Sequence, residues 1–319
     1  MILTPEVLTI FILNALFAFF GIIVFILSIN IYRKWDRNSV SQLQYKLEKQ
    51  SYLASTIIKF IFIIKVPLFL FFVFTLDKIS NVLTGAMCGA GVVDATVYGT
   101  PLFILKIINL YIFAYWIVLH NEDIKHENQP FVKQKFALYL VAFFLFMAEL
   151  ILEGVMFSSI EIDKMVSCCG TLYSSTSASA ISSIFTLNTT TLLTLFYANF
   201  LLLLVFYFLK NKYLFALSNL FFVLISLVSL IVFFGTYIYE LPSHHCPFCF
   251  LQSEYYFIGY PIYILLFLGT FYGFVVAFLD VNESIRKISY QKSIIINTLY
   301  VILLTSFVMM YYIKNGVWL

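Results

Sequence analysis

The stretch EVLTIFILNALFAFFGIIVFILSINI, Glu6 to Ile31, decides the fold class. A helix needs about 20 mainly apolar residues to cross the hydrocarbon core of a bilayer. This run is longer than that, and it is apolar throughout rather than alternating, which sets it apart from a membrane β-strand. Seven more runs of the same kind follow, near residues 53–76, 101–119, 136–157, 187–209, 214–239, 257–279 and 293–313. The pattern predicts an all-α, polytopic membrane helix bundle of about eight spans, forming one integral membrane domain over residues 1–319.

Composition agrees. The chain is 62% hydrophobic and 11% charged, with a mean hydropathy of +0.97. A water-soluble exterior needs far more polar surface. The net charge of +3 and the lack of a basic run argue against nucleic acid as a partner. No phosphate-binding glycine motif and no H-E-x-x-H zinc motif occurs. The first basic residue, Arg33, follows the first apolar run, so that run reads as a retained span rather than a secretory signal.

Lysine and arginine mark the cytoplasmic side of membrane proteins. Alternate connections carry Arg33, Lys34, Arg37, Lys46 and Lys49; then Lys125, Lys133 and Lys135; then Lys210 and Lys212; then Arg286, Lys287 and Lys292. The opposite connections and the C-terminal tail hold only Lys78, Lys164 and Lys314. The expected orientation has both termini extracytoplasmic, in a bacterial inner (plasma) membrane. The outer loops are then about 77–100, 158–186 and 240–256.

All five cysteines fall in those three loops: Cys88, then Cys168 and Cys169, then Cys246 and Cys249. An oxidising compartment permits disulfides there. Cys246-Pro247-Phe248-Cys249 is a C-x-x-C, a spacing shared by redox, zinc and copper sites. It precedes an expected span, and a helix N-terminus favours thiolate, as would a protonated His245. Cys168 and Cys169 are adjacent, which disfavours a bond between them and suggests separate partners or a shared soft metal. Two disulfides that merely staple the loops would also account for the placement.

The run Cys246-Pro-Phe-Cys249-Phe-Leu-Gln252, with Tyr260-Pro261 after it, resembles the active-site region of the DsbB-type disulfide-generating membrane oxidoreductases over about 20 residues. The resemblance implies a C-x-x-C at the outer end of a membrane helix beside a bound quinone. Family members have four spans where this chain has about eight, and an Arg after the pair where Ser253 or Glu254 stands here.

Two readings follow. In one, Cys246 and Cys249 accept electrons in a thiol–disulfide oxidoreductase, with quinone as sink. Cys88 and Cys168 or Cys169 then relay to a thioredoxin-like extracytoplasmic partner. In the other, Cys88, Cys168, Cys169, Cys246 and Cys249, with His244 or His245, hold Cu, Zn or Hg. A non-catalytic subunit whose disulfide-stapled outer loops dock a periplasmic partner, or other membrane subunits, is a further alternative.

Ionisable residues within spans are functional candidates in their own right. Glu149 and Glu153 are four apart on the fourth span, hence on one face. Lys106 on the third span and Lys65 on the second are their expected partners, as a register-fixing ion pair or a proton path. Asn14, Asn109 and Asn199 are expected only to hydrogen-bond between helices.

Overall fold

The computed structural model describes residues 4–36, 39, 41–161, 165–166, 188–278 and 283–319. Among these residues there are ten α-helices and no strand. They are α1 (Pro5–Lys34), α2 (Gln42–Ser80), α3 (Gly89–Asp94), α4 (Gly99–Asp123), α5 (Val132–Ser159), α6 (Thr189–Leu209), α7 (Lys212–Ser229), α8 (Gly235–Tyr239), α9 (Gly259–Phe278) and α10 (Glu283–Asn315). A single π-turn, Leu230–Phe234, joins α7 to α8 in one continuous span, Lys212–Tyr239. Among the described residues, eight helices are long and apolar enough to cross a membrane. This is an integral membrane protein.

The helix ends follow local chemistry. The Ser41 hydroxyl accepts the Gln44 N–H at the start of α2, and the Asn188 and Asn211 side chains do the same for α6 and α7. Lys210 takes the left-handed conformation, φ 54°, and lets the chain reverse within two residues between α6 and α7. The second helix starts well before residue 53. Its first turns carry Lys46, Glu48 and Lys49 and extend the span as a polar-faced helix.

The chain divides into two compact units, Met1–Thr84 with Val92–Met165, and Gly85–Gly91 with Val166–Leu319. In the first, α1 packs on α2, α2 on α4, α4 on α5 and α5 on α1, a closed ring of four spans. Phe17, Phe62, Phe113, Trp116, Phe136 and Tyr139 fill its interior. The rings of Phe62 and Phe113 stack 4.3 Å apart. Trp116 Nε1 donates to the Lys135 carbonyl and Tyr139 Oη to the Gly21 carbonyl, so both large polar aromatics are satisfied on the backbone. Near one end, Lys135 pairs with Asp123 at 2.6 Å, both side chains buried, and Asp123 also accepts the Phe131 N–H. A charge that reads as a loop lysine in the sequence thus closes the α4–α5 turn.

The second unit repeats the arrangement with α6, α7, α9 and α10. Its close contact is built on Gly269 and Gly273 of α9, a G-x-x-x-G spacing. A Cβ at Gly269 would collide with Asn297, and one at Gly273 with Asn219. The bare glycine surface therefore lets two buried amides meet. Asn297 Nδ2 donates to Asn219 Oδ1 at 3.1 Å, and Ser293 Oγ donates to the Gly269 carbonyl at 2.7 Å. Hydrocarbon supplies no competing partner, so these bonds hold α7, α9 and α10 together.

We predict that Gly269→Leu lowers stability by about 1–3 kcal/mol through overpacking, read as a lower thermal midpoint in detergent. Gly154→Ala, where an added Cβ meets nothing within 4 Å, is expected to match or exceed the native midpoint.

Candidate functional site

Two clusters of chemically capable side chains stand out, one in each unit. In the second unit, Cys88, Cys246 and Cys249 come together. Their sulfur atoms all lie within 4.8 Å of one another, and Cys88 Sγ is 3.4 Å from Cys246 Sγ. The residues are 0%, 1% and 5% exposed. Cys88 comes from the segment Gly85–Gly91 and is separated by 158 residues from Cys246.

Backbone geometry sets this convergence. Tyr239, the last residue of α8, donates its hydroxyl to the Cys246 carbonyl and accepts the Phe250 N–H at 3.0 Å. One side chain thereby clasps both ends of the C-x-x-C turn. Tyr263 on α9 donates to the Pro247 carbonyl at 2.7 Å. Gln252 Nε2 donates to the Met87 carbonyl at 3.1 Å, tying this turn to the loop that carries Cys88. Gly259 opens α9 and lets Phe250 and Leu251 press against its backbone, where a Cβ would overlap both. The Phe248 N–H points at Cys246 Sγ at 3.4 Å, a weak donor for a developing thiolate.

The C-x-x-C does not sit on the first turn of α9. Cys249 begins a 3₁₀ turn, Cys249–Leu251, a second follows at Ser253–Tyr255, and α9 begins only at Gly259. The dipole of α9 therefore acts from more than a turn away, where its effect has faded.

The two neighbouring histidines lie outside the group of three sulfurs. His244 stands edge-on to the Tyr239 ring, 4.3 Å between centroids. His245 Nδ1 lies 3.0 Å from the Ile231 carbonyl, inside the π-turn. A carbonyl only accepts, so Nδ1 carries the proton. His245 thus anchors the cysteine turn to the irregular part of the sixth span, and π-turns often occur at such sites. Cys168 and Cys169 lie outside the described residues.

Three thiolates at about 2.3 Å from a common metal would stand about 3.8–4.0 Å apart, a spacing this group allows. Zinc takes a fourth ligand, which the described His, Cys, Asp and Glu side chains do not add. Cu(I) prefers soft sulfur ligands.

The first unit holds the second cluster. Lys65 Nζ donates to Glu149 Oε1 at 2.8 Å and to Asn14 Oδ1 at 3.1 Å. Lys106 Nζ donates to Glu149 Oε1 at 2.8 Å and to Glu153 Oε2 at 2.7 Å. Asn14 Nδ2 donates to Glu153 Oε2 at 3.3 Å. The five side chains therefore form a closed ring of alternating donors and acceptors drawn from α1, α2, α4 and α5. Asn109 Nδ2 braces Glu149 Oε2 at 2.6 Å. The two carboxylates and two lysines were legible as partners, but Asn14 and Asn109 were not. Their signal was position: Asn109 is three residues after Lys106 and so shares its helix face.

Scans of family models, characterised proteins and solved structures give no match to this chain. The site is therefore read from its own chemistry.

Two outcomes follow. Tyr239→Phe leaves the buried Phe250 N–H without an acceptor, a loss of about 1–3 kcal/mol, measurable as a lower thermal midpoint and faster alkylation of Cys246. Lys65→Met leaves surplus negative charge in the ring and is expected to cost about 3–5 kcal/mol. The double variant Lys65→Met with Glu149→Met, which keeps the Lys106–Glu153 pair, recovers most of that stability in the same melts.

Proposed function

We propose that this chain is a membrane-embedded thiol–disulfide oxidoreductase whose reactive group is Cys88, Cys246 and Cys249. The observation that carries this reading is the sulfur contact. A third cysteine, from a distant part of the sequence, stands 3.4 Å from one member of a C-x-x-C pair. When Cys246 and Cys249 are joined as a disulfide, the Cys88 thiolate attacks Cys246 Sγ. The Cys88–Cys246 bond forms, the Cys246–Cys249 bond breaks, and Cys249 leaves as a thiolate that takes a proton. This exchange moves the disulfide without net loss of electrons.

Over a full turnover a substrate dithiol loses two electrons and two protons, and a quinone acceptor gains them as hydroquinone. The resemblance of the C-P-F-C stretch to the DsbB-type enzymes supports the quinone. The burial of the three thiols supports an intermediary between them and a thioredoxin-like partner, the role assigned to Cys168 or Cys169. The positive-inside pattern supports placing this chemistry on the extracytoplasmic face.

The mutual approach of all three sulfurs favours a second reading, in which they hold Cu(I). The experiment separates the two. Purified protein in lipid is treated with an oxidant or a reductant, the thiols are counted by alkylation and mass, and bound metal is measured. The redox reading expects two fewer free thiols after oxidation, and a Cys88–Cys246 crosslink accumulating in Cys249→Ser. Thiols that never change state would sink it. Stoichiometric copper, lost in Cys246→Ser, would replace it with the metal reading.

A further inference from the structure

The first unit commits two lysines, two glutamates and two asparagines to one place in the membrane. Each ionised side chain at the centre of a spanning helix costs about 2.5–3.5 kcal/mol on insertion scales. One ion pair would fix helix register, and well-packed apolar residues often do so as well or better. The ring goes further, and it leaves two atoms over. Glu153 Oε1 and Asn109 Oδ1 are buried without a hydrogen-bond partner among the described residues.

The two carboxylates differ. Glu149 receives three donors: Lys65 and Lys106 on one oxygen and Asn109 on the other. Glu153 receives Lys106 and Asn14 on the same oxygen, Oε2. A buried carboxylate with donors on one oxygen only is poorly compensated, and taking up a proton removes its charge. Beside the ring lies a cavity of about 20 Å³ lined by Lys65, Lys106, Glu149 and apolar side chains including Phe72 and Phe113. Roughly 10–15 Å³ suffices for one water. Lys106 both lines this cavity and contacts Glu153, at 2.7 Å.

We propose that the ring is a proton-binding site, in which Glu153 takes up a proton that Lys106 relays from a water in the cavity. A Lys106 N–H bond breaks as an O–H bond forms at Glu153 Oε2, the oxygen Lys106 contacts. The lone pair left on Lys106 Nζ then takes a proton from hydronium in the cavity, leaving water. One proton moves, no electron moves, and the ring passes from zero charge to +1. The groups facing Glu153 are Lys106 from α4, Asn14 from α1, Lys65 from α2 through Asn14, and Glu149 one turn earlier on α5. The inference is independent of the thiol chemistry in the other unit.

Lysine can serve as a relay because it can give up its proton, whereas arginine cannot. The test is infrared spectroscopy of the protein in bilayers during a downward pH jump. The native spectrum minus that of Glu153→Gln is expected to contain a carboxylic-acid carbonyl band. Lys106→Arg, which keeps the ion pairs, is expected to slow the rise of that band at least tenfold. Circular dichroism and thermal melts verify that both variants fold. If Glu153→Gln does not fold, Glu153→Asp replaces it, and the band must shift in frequency. No band in the difference spectrum, a band unmoved in Glu153→Asp, or an unchanged rate in Lys106→Arg would each overturn the proposal.

Discussion

Hydrocarbon offers no hydrogen-bond partner, and this one constraint shapes the whole chain. It limits a spanning backbone to helices or closed barrels, since other lipid-exposed conformations leave N–H and C=O groups bare, and the unbroken apolar runs select helices. It also makes every polar side chain inside a span a debt that the protein's own backbone or side chains must settle. In the second unit Asn219, Ser293 and Asn297 settle part of it among themselves, and the two glycines of α9 let them meet. In the first the ring around Glu149 settles most of it and leaves Glu153 Oε1 and Asn109 Oδ1 over. Association between spans follows from these few bonds and from close packing, because apolar faces gain nothing by leaving lipid for each other.

The spans were legible because their signal is local and redundant. Twenty apolar residues in a row admit one interpretation, and the helix ends fall within a few residues of the composition changes in most cases. The second helix departs most, since Lys46, Glu48 and Lys49 look like loop residues until the helix is seen to continue past the apolar region. The π-turn at Leu230–Phe234 had no sequence mark at all. It is a register shift in a uniformly apolar run, and only the His245 contact gives it meaning.

The candidate site was half legible. Residue type announced Cys246, Cys249 and the buried charges. What the sequence withheld was distance. Cys88 meets Cys246 across a sequence separation of 158, a matter of how the segment Gly85–Gly91 is folded, which no periodicity records. The supporting shell was equally hidden. Tyr239 resembles many other tyrosines near span ends, and nothing in the letters separates a lipid anchor from a side chain that clasps a cysteine turn. The histidines were the reverse case: conspicuous beside the C-x-x-C, yet outside the group of three sulfurs, one edge-on to Tyr239 and one at a backbone carbonyl.

The closed ring in the first unit also bears on biogenesis. Lys65 precedes Glu149 by 84 residues and Lys106 precedes it by 43. Chain growth therefore delivers two cationic spans to the membrane before either counter-ion has been synthesised. Until α5 arrives, each lysine bears its own insertion cost of about 2.5–3.5 kcal/mol, set against the apolar length of its span.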